Sequence, residues 1–369
     1  MKSIDPSVIT ARLQRVRSAM AAAGVDALVV GPSADLLYLS GYDARPSERL
    51  TALVVRTDGD DRMVVPELEQ PLVEALGLPS VRIDPFGETD DPYALVADAL
   101  DGAATVGAGD RLWAMFLLEI QAKLPQAVWV SGSAVVAELR MRKEPAEIEA
   151  LRRVGQAIDR VHARIPDMLR AGRTEREVGQ DIEAAILEEG HEEVSFCIVG
   201  SGPNGASPHH HNGDRVIQAG DAVVIDIGGP MDGYGSDNTR NYFVGEVSQE
   251  VRDAHGALER AQRAAVDHAK PGVTAASVDA AARDSLTAAG YGEYFIHRTG
   301  HGIGLEGHEA PYIVEGNDLV LEPGMTFSIE PGIYIPGKFG LRIEDIVAVT
   351  EDGCERLNTI DRGAVEIPA

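Results

Sequence analysis

Cysteine is nearly absent from this sequence: Cys197 and Cys354 are the two among 369 residues. Two thiols are too few for a disulfide framework, so we expect a reducing compartment, with the cytoplasm as the default location. No apolar segment of the kind found in export signals follows the first residues, and no run of about 18 apolar residues occurs. We therefore expect neither secretion nor a membrane span.

Basic residues are also scarce, with 33 Lys and Arg against 59 Asp and Glu, for a formal net charge of −26. Nucleic acids and anionic membranes would repel such a chain, so neither is an expected partner. Hydrophobic residues make up 44% and charged residues 25%, which is typical of a globular protein. The length allows two domains, each with its own core.

Several common hydrolase and nucleotide-binding motifs are missing. No H-E-x-x-H and no G-x-S-x-G occurs, and Cys197 lies in an apolar strand-like run that favours an inert thiol over a nucleophile. The segment 200–205 matches G-x-G-x-x-G in its letters. However, Pro203 and the three histidines that follow do not open a helix able to bind a pyrophosphate. We therefore reject a dinucleotide site.

The first part of the chain, residues 1–137, alternates short strand and helix patterns, which is typical of an α/β domain. It has no cluster of potential metal ligands, so we expect it to pack and to enclose substrate. The predicted helices are 6–23, 67–76 and 92–100, and the predicted strands are 26–31, 51–56 and 63–66.

The second part, residues 138–369, opens with an amphipathic helix over 145–165 and contains an internal repeat. Residues 171–190 match 271–290, with Gly, Thr, Val and Gly at equivalent positions. In both copies a threonine can cap the start of a helix and a glycine can end it. We predict a duplicated helix-helix-strand unit whose two halves form a pseudo-symmetric fold with a central cleft.

Five side chains that favour metals lie at the ends of apolar, strand-like runs in this second part. A predicted hairpin brings two of them, Asp226 and Asp237, across from each other. Buried carboxylates cost several kcal/mol unless cations neutralise them, so the set predicts two divalent ions. The oxygen-rich donors favour Mn²⁺, with Co²⁺ or Zn²⁺ as alternatives. The five are Asp226, Asp237, His301, Glu330 and Glu344.

Three successive histidines follow the glycine-rich loop. We expect the loop to present His209 to the cleft, and we expect His210 and His211 to be solvated surface residues.

Taken together, these motifs resemble the pita-bread metallopeptidases, and most closely their proline-specific branch, the Xaa-Pro dipeptidases and aminopeptidases P. The segment around Tyr38-Leu-Ser-Gly41 is similar to the creatinase-like N-terminal domain of that branch. The motifs are Ile225-Asp226-Ile-Gly228, Ser236-Asp237-Asn-Thr-Arg240, Thr299-Gly-His301-Gly-Ile-Gly-Leu305, His308-Glu309-Ala-Pro311, Ile329-Glu330-Pro-Gly-Ile-Tyr334 and Arg342-Ile-Glu344-Asp345.

The resemblance implies an α/β creatinase-like domain followed by an α+β pita-bread domain with internal pseudo-two-fold symmetry. In the metal site, Asp226 would chelate one ion, His301 and Glu330 would hold the other, and Asp237 and Glu344 would bridge them. A hydroxide shared by the two ions would attack the carbonyl carbon of the bond preceding proline.

Further roles follow from the same resemblance. Glu330 would relay the proton, and His308 and His209 would stabilise the oxyanion and position the substrate. Arg342 would hold a neighbouring carboxylate or the product, and Tyr334 would line the pocket. The substrate would be a small peptide containing Xaa-Pro, and the protein a homodimer.

Alternatives remain open at this point. The short chain, without a large insertion, favours a dipeptidase over an aminopeptidase P that acts on longer peptides. A creatinase-like C–N hydrolase and a non-enzymatic binding module on the same fold are less favoured, because the ligand set is intact. A lyase on this fold can keep the metals, so it stays open as a less favoured alternative. Asn238, Asn241 and Gly307 depart from the family pattern and leave the substrate preference open.

Overall fold

The computed structural model describes residues 4–78 and 80–369. Contacts within the chain divide it between Arg140 and Met141 into two compact units. The domain boundary placed at 137/138 from the sequence falls inside a helix that ends at Arg140. The limits of independently folding domains stay a prediction.

The first unit is built on a mixed β-sheet. Its strands are β1 (Ala27–Val30), β2 (Ala52–Arg56), β3 (Asp61–Pro66), β4 (Val81–Phe86), β5 (Thr105–Ala108) and β6 (Val128–Ser131). They are ordered β4-β3-β2-β1-β5-β6. The β1–β2 and β2–β3 pairs are antiparallel, and the β3–β4, β1–β5 and β5–β6 pairs are parallel.

Helices cover this sheet, and the first has the limits that the sequence predicts. Asp5 caps it by accepting a hydrogen bond from the Ser7 backbone N at 2.8 Å, and Gly24 ends it at φ 69°. Strand β1 is buried throughout, as expected for a strand inside a sheet covered on both faces. The helices are α1 (Pro6–Ala23), α2 (Ala34–Ser40), α3 (Gln70–Glu74), α4 (Pro92–Ala99), α5 (Ala114–Lys123) and α6 (Ser133–Arg140).

The second unit contains two helix pairs and several small, mainly antiparallel sheets. Its helices are α7 (Pro145–Met168), α8 (Glu175–Glu188), α9 (Gln249–His268) and α10 (Ala275–Ala288). Its strands are β7 (Phe196–Ser201), β8 (Ala222–Gly228), β9 (Pro230–Met231), β10 (Tyr234–Gly235), β11 (Asn238–Val244), β12 (Gly300–Gly302), β13 (Glu309–Ile313), β14 (Thr326–Ile329), β15 (Gly332–Ile335), β16 (Phe339–Arg342), β17 (Asp345–Val349), β18 (Cys354–Arg356) and β19 (Val365–Ile367).

The structure confirms the internal repeat. Thr174 and Thr274 each cap a 14-residue helix through the side-chain oxygen. Gly172 and Gly272 precede them at φ 89° and 88°. Both threonines also form an isolated bridge to the chain that leads into the next sheet, one at Val216 and the other at Val320. The two halves therefore share capping, turn geometry and strand connection.

The two larger sheets of this unit have the orders β19-β11-β8-β7 and β13-β12-β14-β17-β18. The predicted hairpin is confirmed, because β8 and β11 pair in antiparallel register with Asp226 opposite Thr239. In the second sheet, β14 and β17 pair with Ile329 opposite Asp345. The ends of these strands carry the site described below.

Among the described residues, no helix combines the length and the apolar character that crossing a membrane requires. The longest helix, α7, is amphipathic and ends at Met168, three residues beyond the predicted limit of Ile165.

Candidate metal centre

The five predicted ligands converge on one buried cluster. Asp226, Asp237 and Glu344 form one group of potential ligands, and His301, Glu330 and Glu344 form another. Within each group the ligand atoms all lie within 4.8 Å of one another, and Glu344 belongs to both. The cluster therefore has two overlapping parts that share a carboxylate.

Strand ends bring these residues together. Asp226 lies in β8, and Asp237 directly precedes β11, its hairpin partner. His301 is the central residue of β12, Glu330 follows β14, and Glu344 lies between β16 and β17. Each carboxylate stands next to fully buried apolar residues, so the sheets carry the acidic groups into the protein interior.

Burial and mutual repulsion dominate the electrostatics of the cluster. Burial, followed by the charge of Asp226, raises the pKa of Asp237 well above its usual value. Burial and the charge of Asp237 do the same to the pKa of Glu344. Since like charges oppose ionisation in a low-dielectric interior, these carboxylates need cations to remain ionised together.

His301 is oriented toward the carboxylates. Its Nδ1 lies 3.1 Å from the Gly302 carbonyl oxygen, which can only accept, so Nδ1 carries the hydrogen. Its Nε2 lies 3.2 Å from Glu330 Oε1 and 3.6 Å from Asp237 Oδ2. Burial opposes protonation, but the hydrogen bond and charge of Glu330 outweigh it and raise the pKa of His301 to about 9. Burial likewise opposes ionisation of Glu330, but His301 lowers the pKa of Glu330 to about 2.

A chain of hydrogen bonds connects Glu344 to Asp226. Thr239 Oγ1 donates to Glu344 Oε2 at 2.8 Å and accepts from Arg342 Nε at 3.0 Å. Arg342 in turn donates through Nη2 to Asp226 Oδ2 at 2.6 Å. Such outer contacts orient ligands and tune their basicity.

Two oxygen atoms in the cluster test whether a metal fits. Asp226 Oδ1 and Glu344 Oε1 are buried and have no hydrogen-bond partner among residues 4–78 and 80–369. A buried carboxylate oxygen without a partner costs more than one that is hydrogen-bonded or metal-bound. Both atoms belong to residues of the cluster, so the side chains present fit divalent cations.

A cavity of about 1250 Å³ opens onto the cluster. His209 and His308 line it and are exposed, as predicted for residues that meet substrate. The His308 ring stacks on that of His301, with centroids 3.7 Å apart. Burial, followed by the charges of His301 and Arg298, lowers the pKa of His308 to about 4.

The comparisons with known proteins agree with this arrangement. The model described as metallopeptidase family M24 matches residues 149–351, and the creatinase/prolidase N-terminal domain matches residues 12–142. The chain belongs to metallopeptidase family M24. The fold predicted from the sequence, an α/β creatinase-like domain with a pita-bread domain, is thereby confirmed.

Individual M24 relatives span nearly the whole chain. The probable dipeptidase PepE of Mycobacterium tuberculosis is 51% identical over 374 residues, covering 100% of this chain and 99% of that protein. The Xaa-Pro dipeptidase of Lactobacillus helveticus is 39% identical over 341 residues, covering 90% and 92%. The crystal structure of dipeptidase PepE from Mycobacterium ulcerans matches with a TM-score of 0.95 at 51% identity, covering 99% and 100%.

Membership of M24 makes the chain a metallopeptidase and implies that it binds divalent metal.

The two predicted departures from the family pattern in β11 have a structural role. Asn238 Nδ2 donates to the Glu344 carbonyl oxygen, and Asn241 Nδ2 donates to that of Arg342, both at 2.8 Å. These buried amides tie the M24 hairpin to Arg342 and to Glu344, which follows β16, and neither amide is among the described residues that line the cavity.

The position of Tyr334 requires a correction. Tyr334 is buried and is not among the described residues that line the cavity. Its hydroxyl accepts from Arg342 Nη1 and donates to His297 Nε2, both at 2.8 Å. It therefore holds Arg342 from behind, and Arg342 is the member of this pair that faces the M24 cavity.

The prediction for His210 is wrong as well. His210 is not a solvated surface residue, since its Nε2 lies 2.7 Å from Glu175 Oε2, a carboxylate with no side-chain exposure. Glu175 also accepts from the Ser201 hydroxyl and the Asn204 amide. This contact anchors the loop that carries His209.

Sequence reasoning missed His297 and Arg298, which both line the cavity. Burial lowers the pKa of His297. The available signal was two basic side chains immediately before Thr299-Gly-His301, in a chain with a large excess of acid.

Cys197 also lines the cavity, and burial raises the pKa of its thiol to about 12, which agrees with the expected inert thiol.

Proposed function

We propose that this metallopeptidase is an Xaa-Pro dipeptidase, which hydrolyses the peptide bond preceding proline. The observation that carries the proposal is the pair of ligand groups sharing Glu344, beside a cavity lined by His209 and His308. The 39% identical relative named Xaa-Pro dipeptidase supports the choice of substrate. An Xaa-Pro bond lacks an N–H, so general peptidases that bind that group fit it poorly.

We infer that Asp226, Asp237, His301, Glu330 and Glu344 hold two divalent cations. Glu344 and Asp237 would be shared, since they are the two carboxylates that belong to two ligand groups each: Asp237 also forms a third group with His301 and His308. The oxygen-rich donor set favours Mn²⁺, with Co²⁺ and Zn²⁺ as alternatives. When bound, the ions activate water for attack and polarise the substrate carbonyl.

Glu330 is the proposed proton relay. Its Oε1 accepts from Ser328 Oγ at 2.9 Å and lies 3.2 Å from His301 Nε2, so both contacts hold the carboxylate at the cluster. A carboxylate in this position can take a proton from the attacking water and return it to the proline nitrogen. Loss of the relay therefore affects kcat more than KM.

His308 and His209 are proposed to act on the substrate carbonyl oxygen. Arg298 donates to His308 Nδ1 at 3.1 Å, which leaves the Nε2–H of the neutral ring free to donate elsewhere. Donors directed at a developing oxyanion stabilise the transition state more than the ground state. Arg342, held between Tyr334 and Asp226, positions that carboxylate and forms one wall of the cavity.

Metal removal and replacement test the function. Chelated protein should lose hydrolysis of Ala-Pro and regain it with Mn²⁺, and elemental analysis should find about two ions per chain. Ala-Ala serves as the matched dipeptide without proline and should be a poor substrate. Ala-Pro-Ala distinguishes a dipeptidase from an aminopeptidase P. If the enzyme hydrolyses no Xaa-Pro peptide with any of the three metals, the proposal is refuted.

We also propose a cytoplasmic homodimer. Cys197 and Cys354 are both free, which suits a reducing compartment. The dimer rests on the family resemblance, and light scattering on the purified protein tests it.

A further inference from the structure

Asp345 is the centre of a buried ion-pair cluster that the proposed mechanism does not use. It directly follows Glu344 in the chain, and its side chain has no solvent exposure. Three arginines contact its carboxylate. Arg240 donates through Nη2 to Oδ1 at 2.6 Å, Arg362 donates through Nε to Oδ2 at 2.9 Å, and Arg356 Nε lies 2.8 Å from Oδ2. One carboxylate thus faces three guanidinium groups.

This cluster lies outside the cavity. Glu344 lines the cavity, whereas Asp345 and Arg240 are not among the described residues that line it. Successive side chains at the start of a strand point to opposite faces of the sheet, so Glu344 is directed toward the cavity and Asp345 away from it. The two neighbouring carboxylates therefore have different partners.

Arg240 joins Asp345 to the strand that follows Asp237. It is a buried residue of β11, and Asp237 directly precedes that strand. Besides its bond to Asp345, Arg240 donates through Nη1 to the carbonyl oxygen of Glu344 at 2.6 Å. One guanidinium thus connects β11 to a predicted metal ligand and to the residue after it.

Gln262 joins Asp345 to the strand that precedes Glu330. This α9 residue is buried, and its Nε2 donates to Asp345 Oδ2 at 3.0 Å and to the Ile329 carbonyl oxygen at 3.4 Å. Ile329 also lies opposite Asp345 in the β14–β17 register and directly precedes Glu330. The amide therefore links Asp345 to the end of a third ligand-bearing segment.

The C-terminal segment supplies the remaining two arginines. Arg356 is the last residue of β18, and Arg362 lies between β18 and β19. Strand β18 pairs with β17, and β19 pairs with β11, so this segment contacts both strands that Arg240 and Asp345 connect. We call the whole set the Asp345 hub, and its members are Asp345, Arg240, Gln262, Arg356 and Arg362.

The chemistry of the hub suits positioning more than stabilisation. A buried ion pair adds little net stability compared with apolar residues of the same volume, because the cost of desolvation offsets the attraction between the charges. Charge-assisted hydrogen bonds are short and directional, however, so they fix the geometry of the groups that they join. Such bonds can hold strand ends at a defined separation.

We propose that the Asp345 hub positions the shared carboxylates Asp237 and Glu344 and thereby sets the spacing of the two metal ions. The inference rests on the proposed function, which includes the two-ion site, and deepens it by naming the residues that hold its ligands from outside the cavity. Both carboxylates belong to a group whose ligand atoms lie within 4.8 Å of one another. Outer contacts of this kind orient ligands and tune metal affinity. Asp345 is thus a positioning residue.

Mn²⁺ binding to chelated protein, followed by calorimetry, tests the proposal without turnover. Asp345→Asn keeps the side-chain shape and removes the charge that the arginines share, and it should lower Mn²⁺ affinity about 10- to 100-fold. Gln262→Met removes the link to Ile329 and leaves the arginines paired with Asp345, so it tests the hub even if Asp345→Asn does not fold. Its Mn²⁺ affinity should fall about 5-fold, the equivalent of one hydrogen bond.

Electron paramagnetic resonance gives a readout that a loss of stability alone does not change. Two Mn²⁺ ions that share carboxylates are magnetically coupled, whereas separated ions give the hyperfine pattern of isolated Mn²⁺. At saturating Mn²⁺ the wild type should show the coupled signal, and both hub variants should show less of it and more of the isolated pattern. Leu258→Ala is the matched control, because it removes buried apolar contacts from the helix of Gln262 without removing a hydrogen bond. It should lose stability and keep wild-type affinity and coupling.

Wild-type affinity and coupling in Gln262→Met and in folded Asp345→Asn would overturn the proposal. Equal changes in Leu258→Ala would also overturn it, because the effect would then belong to general destabilisation. If the wild type gives no coupled signal, the spacing role fails whatever peptides the protein hydrolyses. If the hub variants lose affinity and coupling as expected but the wild type hydrolyses no Xaa-Pro peptide, the proposed substrate fails while the hub stands.

Discussion

Thr239 connects two carboxylates that do not touch. Its hydroxyl donates to Glu344 and accepts from the Arg342 guanidinium, which in turn holds Asp226. The donated bond fixes Glu344 Oε2, whereas Glu344 Oε1 has no hydrogen-bond partner within the part of the chain that the structure describes. A residue that is not itself a ligand thereby decides which carboxylate oxygen faces the cluster.

Thr239→Val removes this hydroxyl while keeping the side-chain shape. We expect metal affinity to fall about 10- to 100-fold, the usual range for loss of such an outer contact. Titrating Mn²⁺ into chelated protein and following Ala-Pro hydrolysis measures the change.

Thr326→Val is the matched control. Thr326 is equally buried, and its hydroxyl donates to the Ile303 carbonyl oxygen at 2.7 Å. The Thr326→Val substitution should lower the free energy of unfolding by about 1 kcal/mol without changing the metal affinity. Unaltered metal affinity in Thr239→Val would contradict the role given to its hydroxyl.

At the scale of elements, the repeated helix pairs use the same cap twice. Thr174 accepts from the Glu177 backbone N, and Thr274 accepts from that of Ser277, each at 3.2 Å. Both caps stand where a strand bridge joins the helix to the following chain. The caps therefore set where each half of the pseudo-symmetric fold begins.

Replacing either cap should destabilise the protein to a similar extent. Thr174→Ala and Thr274→Ala should each lower the free energy of unfolding by about 1 kcal/mol, and their effects should add because the sites are separate. Denaturant unfolding measures both. Thr287→Ala, at an exposed position within α10, should stay within about 0.5 kcal/mol of the wild type. A cap effect no larger than that of Thr287→Ala would contradict the prediction.

Helix α9 carries a buried histidine that makes stability depend on pH. Burial lowers the pKa of His255 from 6.5 to about 4, and its Nε2 has no hydrogen-bond partner among the described residues. Between pH 6.5 and 4 the unfolded chain binds a proton that the folded protein does not. Stability is therefore fully present above about 6.5 and falls by up to about 3 kcal/mol as the pH drops to about 4.

His255→Leu should remove this part of the pH dependence. Denaturant unfolding at several pH values between 4 and 7 measures it. Leu258→Ala, at a buried and non-titrating position of the same helix, should lower stability by about 3 kcal/mol at every pH. An unchanged pH slope in His255→Leu would assign the acid sensitivity to other groups.

At the scale of the whole molecule, the metal cluster belongs to one of two compact units. All five predicted ligands lie in Met141–Ala369, and the sheet β1–β6 has a hydrophobic core formed within residues 4–140. A ligand that binds only the folded state stabilises the part of the structure that its binding site requires. Metal binding should therefore stabilise the unit Met141–Ala369, which contains the cluster, more than the unit that contains the sheet β1–β6.

Hydrogen exchange with and without Mn²⁺ measures this inequality. We expect amide protection to rise in β8, β11, β12, β14 and β17, and to change little in β1–β6. Glu344→Gln removes the carboxylate shared by both ligand groups and should abolish the gain. An equal rise in both units would mean that they unfold as one cooperative body.

The candidate ligands could be singled out from the sequence because the information for each of them is local. Asp226 lies near the end of β8 and Asp237 directly precedes β11, and apolar runs separated by turn residues identify such a hairpin in the sequence. His301 and Glu344 were identified in the same way, from glycine-flanked and strand-end motifs. The repeat was also local, since each copy fits within a few turns of helix and its caps.

The tertiary structure alone decided the contacts between distant segments. It placed Tyr334 behind Arg342, joined His210 to Glu175, and brought Arg298 to His308 and Tyr312. Spacing along a chain determines which residues share a face of one helix or strand. It does not determine which faces of separate elements meet, because packing of the whole core selects those partners.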